Sequence, residues 1–270
     1  NTKIKRIYYK DGKNISMNKT IIGFSGKKKS GKNSCANFIF GNFLMQSNLI
    51  KDFSVTEEHD GDLIIKTIDD KDGIFKIDDR NPNVKAYLEE EIYPFMKPFY
   101  FADPIKQTCI TLFGLDPVLV YGSGDAKERL TNYTWDQFYN LIGVKQCNEY
   151  PNSGFMTIRE ILKFFGTEVL RKRFDPLIHA NRTLENIENT NTHQAYILDV
   201  RFQDEVEAIQ AKGGKVIRLT KKTFEDNHES EIALDNYPLE KYDAVIDNEN
   251  LSIEDTFRQL LEILDNWGCL

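Results

Sequence analysis

Cysteine is scarce and scattered: the four thiols, Cys35, Cys109, Cys147 and Cys269, include no C-x-x-C pair. Neither a zinc site nor a disulfide framework is expected, and a reducing compartment fits the chain. Long apolar runs are also missing. None approaches the roughly 20 residues that a membrane-spanning helix needs, and no charged-then-apolar leader opens the chain. A soluble, unexported, cytoplasmic protein without a membrane partner is the expectation. Positive charge is in deficit, since 35 Lys and Arg against 42 Asp and Glu leave a net charge of -7. That balance argues against the basic face that binding a nucleic acid polymer requires, and for a small-molecule partner. The histidines, His59, His179, His193 and His228, lack the spacing of a metal pair such as H-E-x-x-H, and no G-x-S-x-G nucleophile elbow occurs. They are expected to be structural or superficial.

What remains is a chain of 270 residues with 40% hydrophobic and 12% aromatic content, enough for one sizeable core. Ile21-Ile22-Gly23-Phe24 is a short apolar run ending in a Gly-rich turn, and Cys35, Phe38 and Ile39 follow at helical spacing. Phe99-Tyr100-Phe101, Tyr196-Ile197-Leu198, Val216-Ile217-Arg218-Leu219 and Ala244-Val245-Ile246 read as further buried strands, the first closed by Asp103-Pro104. Helices are expected over 105–113, from Thr157, around Val206 and Ile209, and over 252–265. The one from Thr157 is the clearest, with Thr157 and Glu160 in a capping-box pattern and Ile158, Ile161, Leu162, Phe165 and Val169 in one stripe. Strands alternating with helices imply an α/β fold, a parallel sheet sandwiched by helices of the P-loop NTPase type.

The domain is expected over 17–270. Residues 1–16 are an extension, a tag remnant or a processed start. Residues 50–96 turn polar, and two apolar runs flanking Asp72-Gly73 predict a β-hairpin inside this insertion, a candidate homodimer contact. Residues 105–150 are mixed and give no clear pattern past the first helix.

Gly26-Lys27-Lys28-Lys29-Ser30-Gly31-Lys32 spells G-x-x-x-x-G-K between a strand and a helix, the context a phosphate-cradling loop demands. Phosphate oxygens need converging donors, which closely approaching amides and a helix N-terminus provide. Gly26, Lys29, Gly31 and Lys32 are expected to line the triphosphate of ATP, with Lys32 at the β- and γ-phosphates. The next position, usually a Mg²⁺-holding Ser or Thr, is Asn33, and the hydroxyl comes one residue later at Ser34. Either Asn33 ligates the metal, directly or through water, or Ser34 contacts phosphate directly.

The stretch I-G-F-S-G-K-K-K-S-G-K-N-S-C-A-N-F-I over 22–39 resembles the loop of bacteriophage deoxynucleoside monophosphate kinases. F-A-D-P-I-K at 101–106, T-I-R-E-I-L-K-F-F-G-T-E at 157–168, L-D-V-R-F at 198–202 and A-V-I-D-N at 244–248 are similar to segments of that family, in the same order. Y-G-x-x-D-x-K at 121–127 and His228-Glu229-Ser230-Glu231 are weaker likenesses. The likeness lapses over 50–96, and His179 stands where such kinases commonly show a tryptophan. Animal-type phosphomevalonate kinases look like distant relatives through their S-G-K-x-K-S-G-K loop. The resemblance implies transfer of the γ-phosphoryl group of ATP, with Mg²⁺, to a small phosphorylated acceptor, a deoxynucleoside monophosphate being favoured.

Phosphoryl transfer asks the protein for charge neutralisation and in-line placement of two anions. Arg159, in the first turn of the clear helix, is either a solvated arginine or a clamp on the acceptor phosphate, the role the likeness favours. Gly166 and Thr167 either let the acceptor's base or sugar approach or leave room for a neighbouring helix. Arg171, with Lys172 and Arg173, is a candidate phosphate-covering lid. Asp199 and Arg201 fall at the carboxyl end of a strand, where open α/β sheets place their ligands; Asp199 is assigned to Mg²⁺-bound water or acceptor orientation and Arg201 to phosphate. Asp103 and Lys106, with Lys127, are expected to line the acceptor pocket, unless Asp103 only caps a loop. Asn248 either borders the adenine or belongs to a plain turn.

Overall fold

The computed structural model describes residues 19–145, 150–221 and 233–269; the leading extension, Cys147 and the segment 228–231 lie outside them. The chain divides into two compact units, one made of the residues up to Phe99 and from Ile187 onward, the other of Tyr100–Asn186.

In the first unit, strand β1 (Thr20–Ser25) buries five of its six residues, as a parallel strand covered on both faces must. Gly31, left-handed at φ 99°, opens helix α1 (Lys32–Gln46). The insertion then forms a three-stranded antiparallel sheet, β2 (Asp52–Val55), β3 (Leu63–Lys66) and β4 (Asp72–Phe75). The hairpin turn differs in place from the expected one. Asp72 and Gly73 are already strand, paired with Lys66 and Ile65, and the chain reverses over 67–71. Thr67 N–H donates to the Lys71 carbonyl at 2.8 Å and Asp70 takes the left-handed conformation, φ 60°, which the short Asp side chain tolerates. Helix α2 (Pro82–Tyr87) starts with proline at its first position, capped by Asn81, and strand β5 (Met96–Phe99) follows.

The second unit opens with helix α3 (Ala102–Phe113). A strand over 99–101 is thus corrected: the strand ends at Phe99, and Asp103-Pro104 lies in the first turn of α3. Proline is at home there because the first amides of a helix have no intrahelical acceptor. Helix α4 (Pro117–Val120) leads to an antiparallel pair, β6 (Leu130–Thr134) and β7 (Phe155–Thr157), with helix α5 (Trp135–Leu141) between them. Helix α6 (Ile158–Phe164) has the predicted cap: Thr157 Oγ1 accepts from Glu160 N–H at 3.2 Å, and the Glu160 carboxylate accepts from Thr157 N–H at 2.7 Å. It continues as a π-helical turn over Phe165–Arg171, and helix α7 (Ile178–Asn189) closes the segment. Trp135, Tyr139, Tyr150 and Phe138 surround the Phe164 ring at centroid distances of 5.2–5.8 Å.

Back in the first unit come β8 (Gln194–Val200), α8 (Gln203–Ala211), β9 (Lys215–Leu219), β10 (Ala244–Ile246) and α9 (Ile253–Asn266), the last capped by Ser252. The central sheet runs β10-β9-β1-β8-β5, every pair parallel. Side chains alternate along β1. Phe24 stacks on Tyr196, which meets Phe40 of α1, whereas a Cβ on Gly23 would stand 2.8 Å from Ile209 of α8. Helices therefore cover both faces, the α/β layering expected for a P-loop fold.

Phe164 carries the aromatic core of the second unit, and truncating it leaves a cavity that fixed rings cannot fill. Phe164→Ala is expected to cost about 3–5 kcal/mol, read as a lower denaturant midpoint with unchanged slope.

Candidate active site

Each unit carries its own charged cluster. In the first, the chain leaves β1 at Ser25 and curls through residues 26–31 into α1. Left-handed backbone at Lys29 (φ 61°) and Gly31 (φ 99°) makes that curl, the kind of turn in which successive N–H groups form an anion-binding hollow. Gly26 has no room for a side chain, because a Cβ would overlap Ser30 Oγ and stand 3.0 Å from the Leu219 carbonyl. Lys28 and Lys29 are exposed, while Lys27 Nζ pairs with Asp235 at 2.9 Å.

Lys32 is buried beneath the curl and donates to the carbonyls of Gly26 and Lys27, both at 2.7 Å. Burial, joined by the positive charges of Arg201 and Arg218 and opposed by Asp199, lowers its pKa from 10.5 to about 7. Lys32, Asp199 and Arg201 thus share one electrostatic neighbourhood. The turn after β8 is held by Glu205, whose Oε2 accepts from the N–H groups of Arg201 (2.7 Å) and Phe202 (3.1 Å). Cys35, one turn past the loop, is fully buried, and desolvation pushes its thiol up to about 12.

Arg218 is the residue that sequence reasoning missed. It pairs in register with Ser25, donates to Ser25 Oγ at 3.0 Å and lies 5.8 Å from the Tyr242 ring centroid. The available signal was a lone arginine in the otherwise apolar V-I-R-L strand, since a charge in a covered parallel strand needs a partner or a ligand.

Asn248 sits under the loop, buried, with both ends of its amide engaged. Nδ2 donates to the Ser30 carbonyl at 2.9 Å and Oδ1 accepts from Lys221 N–H at 3.0 Å, so it supports the loop where an adenine border was one of the two expectations. Ser34 Oγ lies against Gly61 of the insertion, and Asn33 is exposed in the first turn of α1.

The second unit gathers Lys106, Lys127 and Arg159. Lys106 Nζ lies 3.3 Å from Asp103 Oδ1 and over the rings of Tyr121 (5.0 Å) and Tyr100 (5.4 Å). Lys127 donates to the Gly122 carbonyl; Arg159 donates to Glu128 through Nε and to the Gly124 carbonyl at 3.0 Å. The Lys127 pKa is lowered first by burial, then by Lys106 and Arg159. Three cations that repel one another thus share one neighbourhood.

Gly166 is buried, with a Cβ position 3.1 Å from Ile105 Cδ1 of α3, and Thr167 is buried beside it. Arg171 donates to the Pro176 carbonyl at 2.7 Å, and Lys172 and Arg173 are both tied to buried Glu168. Among the described residues, no three His, Cys, Asp or Glu side chains group as a metal-binding cluster, and no helix is long and apolar enough to cross a membrane.

Bound polyphosphate favours the charged form of Lys32, whereas the free side chain loses its proton as pH rises through about 7. The affinity of this loop for a polyphosphate is therefore expected to weaken above that pH, by at most about tenfold per pH unit. Calorimetric titration between pH 7 and 9 measures the slope, and Lys32→Arg, charged throughout, is expected to flatten it.

Comparison with known proteins points to a family. Residues 121–260, more than half of the chain, match the model of a family described as deoxynucleotide monophosphate kinase. A protein of Acanthamoeba polyphaga mimivirus named "Putative deoxynucleotide monophosphate kinase" is 29% identical over 179 residues, covering 62% of this chain and 81% of the viral one. The family match begins beyond the phosphate loop and takes in Lys127, Arg159, Asp199, Arg201, Arg218 and Asn248. With the loop, the parallel sheet and that match together, the chain belongs to the deoxynucleotide monophosphate kinase family.

Proposed function

We propose that the protein transfers the γ-phosphoryl group of ATP to a deoxynucleoside monophosphate, giving the diphosphate and ADP. The observation that carries this assignment is a pair of separate anion sites: a phosphate loop with a buried lysine, and a cluster of three cations flanked by tyrosines. A switch protein needs only the first.

The acceptor's phosphate oxygen attacks the γ-phosphorus while the bond to the β,γ-bridging oxygen breaks, and ADP leaves. A phosphate dianion is already a nucleophile, so no general base is required, and catalysis consists of placement and charge neutralisation. Lys32, with the amides of residues 26–31, holds the β- and γ-phosphates, and Arg201 and Arg218 offset the charge on the transferring group. Lys106, Lys127 and Arg159 hold the acceptor phosphate, with Asp103 orienting Lys106. Asp199 and Asn33 offer oxygen ligands of the hard type that suits Mg²⁺. That ion, when bound, would offset phosphate charge. The remaining partners are small nucleotides, with neither a nucleic acid polymer nor a membrane, in the cytoplasm. The insertion is a candidate homodimer surface.

An ADP-release assay over deoxynucleoside monophosphates, ribonucleotides and phosphomevalonate tests the assignment; turnover with none of them would refute it. Lys32→Ala is expected to abolish transfer with the fold retained. Lys106→Ala and Arg159→Ala are expected to raise the acceptor KM about 10- to 100-fold, the loss of one charge-assisted contact, with the KM for ATP unchanged.

A further inference from the structure

The inserted sheet belongs to neither anion site, yet it reaches the helix that starts at Lys32. Phe53 of β2 lies so close over Gly41 that a Cβ there would overlap the ring. It also meets Phe38 at 5.8 Å, and Phe38 stacks on Phe257 at 4.1 Å. Nearer the loop, Asn37 Nδ2 donates to the Gly61 carbonyl at 2.9 Å. Gly61 itself, left-handed at φ 76°, approaches the first turn so tightly that a Cβ would overlap Ser34 Oγ and stand 3.0 Å from Ser34 Cβ. Positions 34, 37, 38 and 41 form one stripe along α1. The insertion therefore grips a single face of that helix, from its first turn to its third.

A second tie runs to the other side of the loop. Glu57, in the 3-10 turn Glu57–His59 before Gly61, lies 3.6 Å from Lys221 Nζ. The Lys221 N–H is bonded to Asn248, and Asn248 supports the Ser30 carbonyl. The Glu57 pair is exposed and contributes little energy, but it completes a ring of contacts around the loop. Amides and a lysine can grip a phosphate only at hydrogen-bond geometry, which weakens steeply with misalignment, so displacing the first turn of α1 disturbs the donors at residues 31–32.

We propose that the inserted three-stranded sheet braces the phosphate loop, and that Gly61 is its positioning residue, setting ATP affinity by packing against Ser34. This presupposes that residues 26–32 hold the nucleoside triphosphate, as in the kinase assignment.

The test is a double-mutant cycle read by ATP titration. Gly61→Ala is expected to weaken ATP binding about tenfold, the scale on which contacting residues couple. Backbone strain at a left-handed alanine adds to that effect, so the same change is made on Ser34→Gly, which removes both side-chain atoms the new methyl would meet. On that background only the strain remains, and Gly61→Ala is expected to cost at least about threefold less than on the wild-type chain. KM for the acceptor monophosphate, whose cations all lie in the other unit, is expected to stay unchanged in every variant. Equal loss on both backgrounds, no loss on either, or a parallel rise in acceptor KM would overturn the brace while wild-type ATP binding stands. Failure of the wild-type protein to bind ATP would overturn both the loop assignment and the brace.

Discussion

Burying the Lys32 ammonium is the constraint around which the first unit is organised. A charge so far from water survives only where oxygen atoms surround it, and the loop supplies two of its own carbonyls at 2.7 Å. Those carbonyls are available because the backbone curls, and the curl closes because Gly26 lets Ser30 pack against it. Arg201 and Arg218 add positive charge that Asp199 only partly offsets. The result is a positively charged neighbourhood whose electrostatic strain a multiply charged anion would relieve.

The second unit solves the same problem with different means. Its cations rest on tyrosine rings, backbone carbonyls and two carboxylates, half-buried Asp103 and exposed Glu128. Such partners hold the side chains in place without cancelling their field. Behind them the aromatic packing about Phe164 keeps α6 fixed, so Arg159 in its first turn projects from a rigid base.

Much of this was legible in the chain because it depends on short-range patterns. The G-x-x-x-x-G-K spacing, the Thr157/Glu160 cap, and the apolar runs of β1, β8, β9 and β10 each express a local rule that tertiary packing left intact. The errors fall where two local rules compete. Asp103-Pro104 satisfies both a strand-ending turn and a helix start, and what decides is that pairing with β8 stops at Phe99, before the motif. Asp72-Gly73 looks like a hairpin turn, but Asp70 accepts the left-handed conformation and the reversal comes earlier. Past the first helix, residues 105–150 show no clear pattern, since helices of four and seven residues are too short to show a period. Arg218 was hidden for another reason: its role arises from Ser25, a partner 193 positions away.

One turn beyond the loop, Cys35 shows what dense packing does to chemistry. Its sulfur has no exposed surface, and its proton is held far more tightly than in a free thiol. Thiolate is the form that oxidants and alkylating reagents attack, so this sulfur is silent toward them although it sits beside the glycine-rich loop. Peroxide stress or a maleimide dye would pass it by, leaving the neighbouring lysine's environment unaltered and making this position useless as a chemical reporter of occupancy.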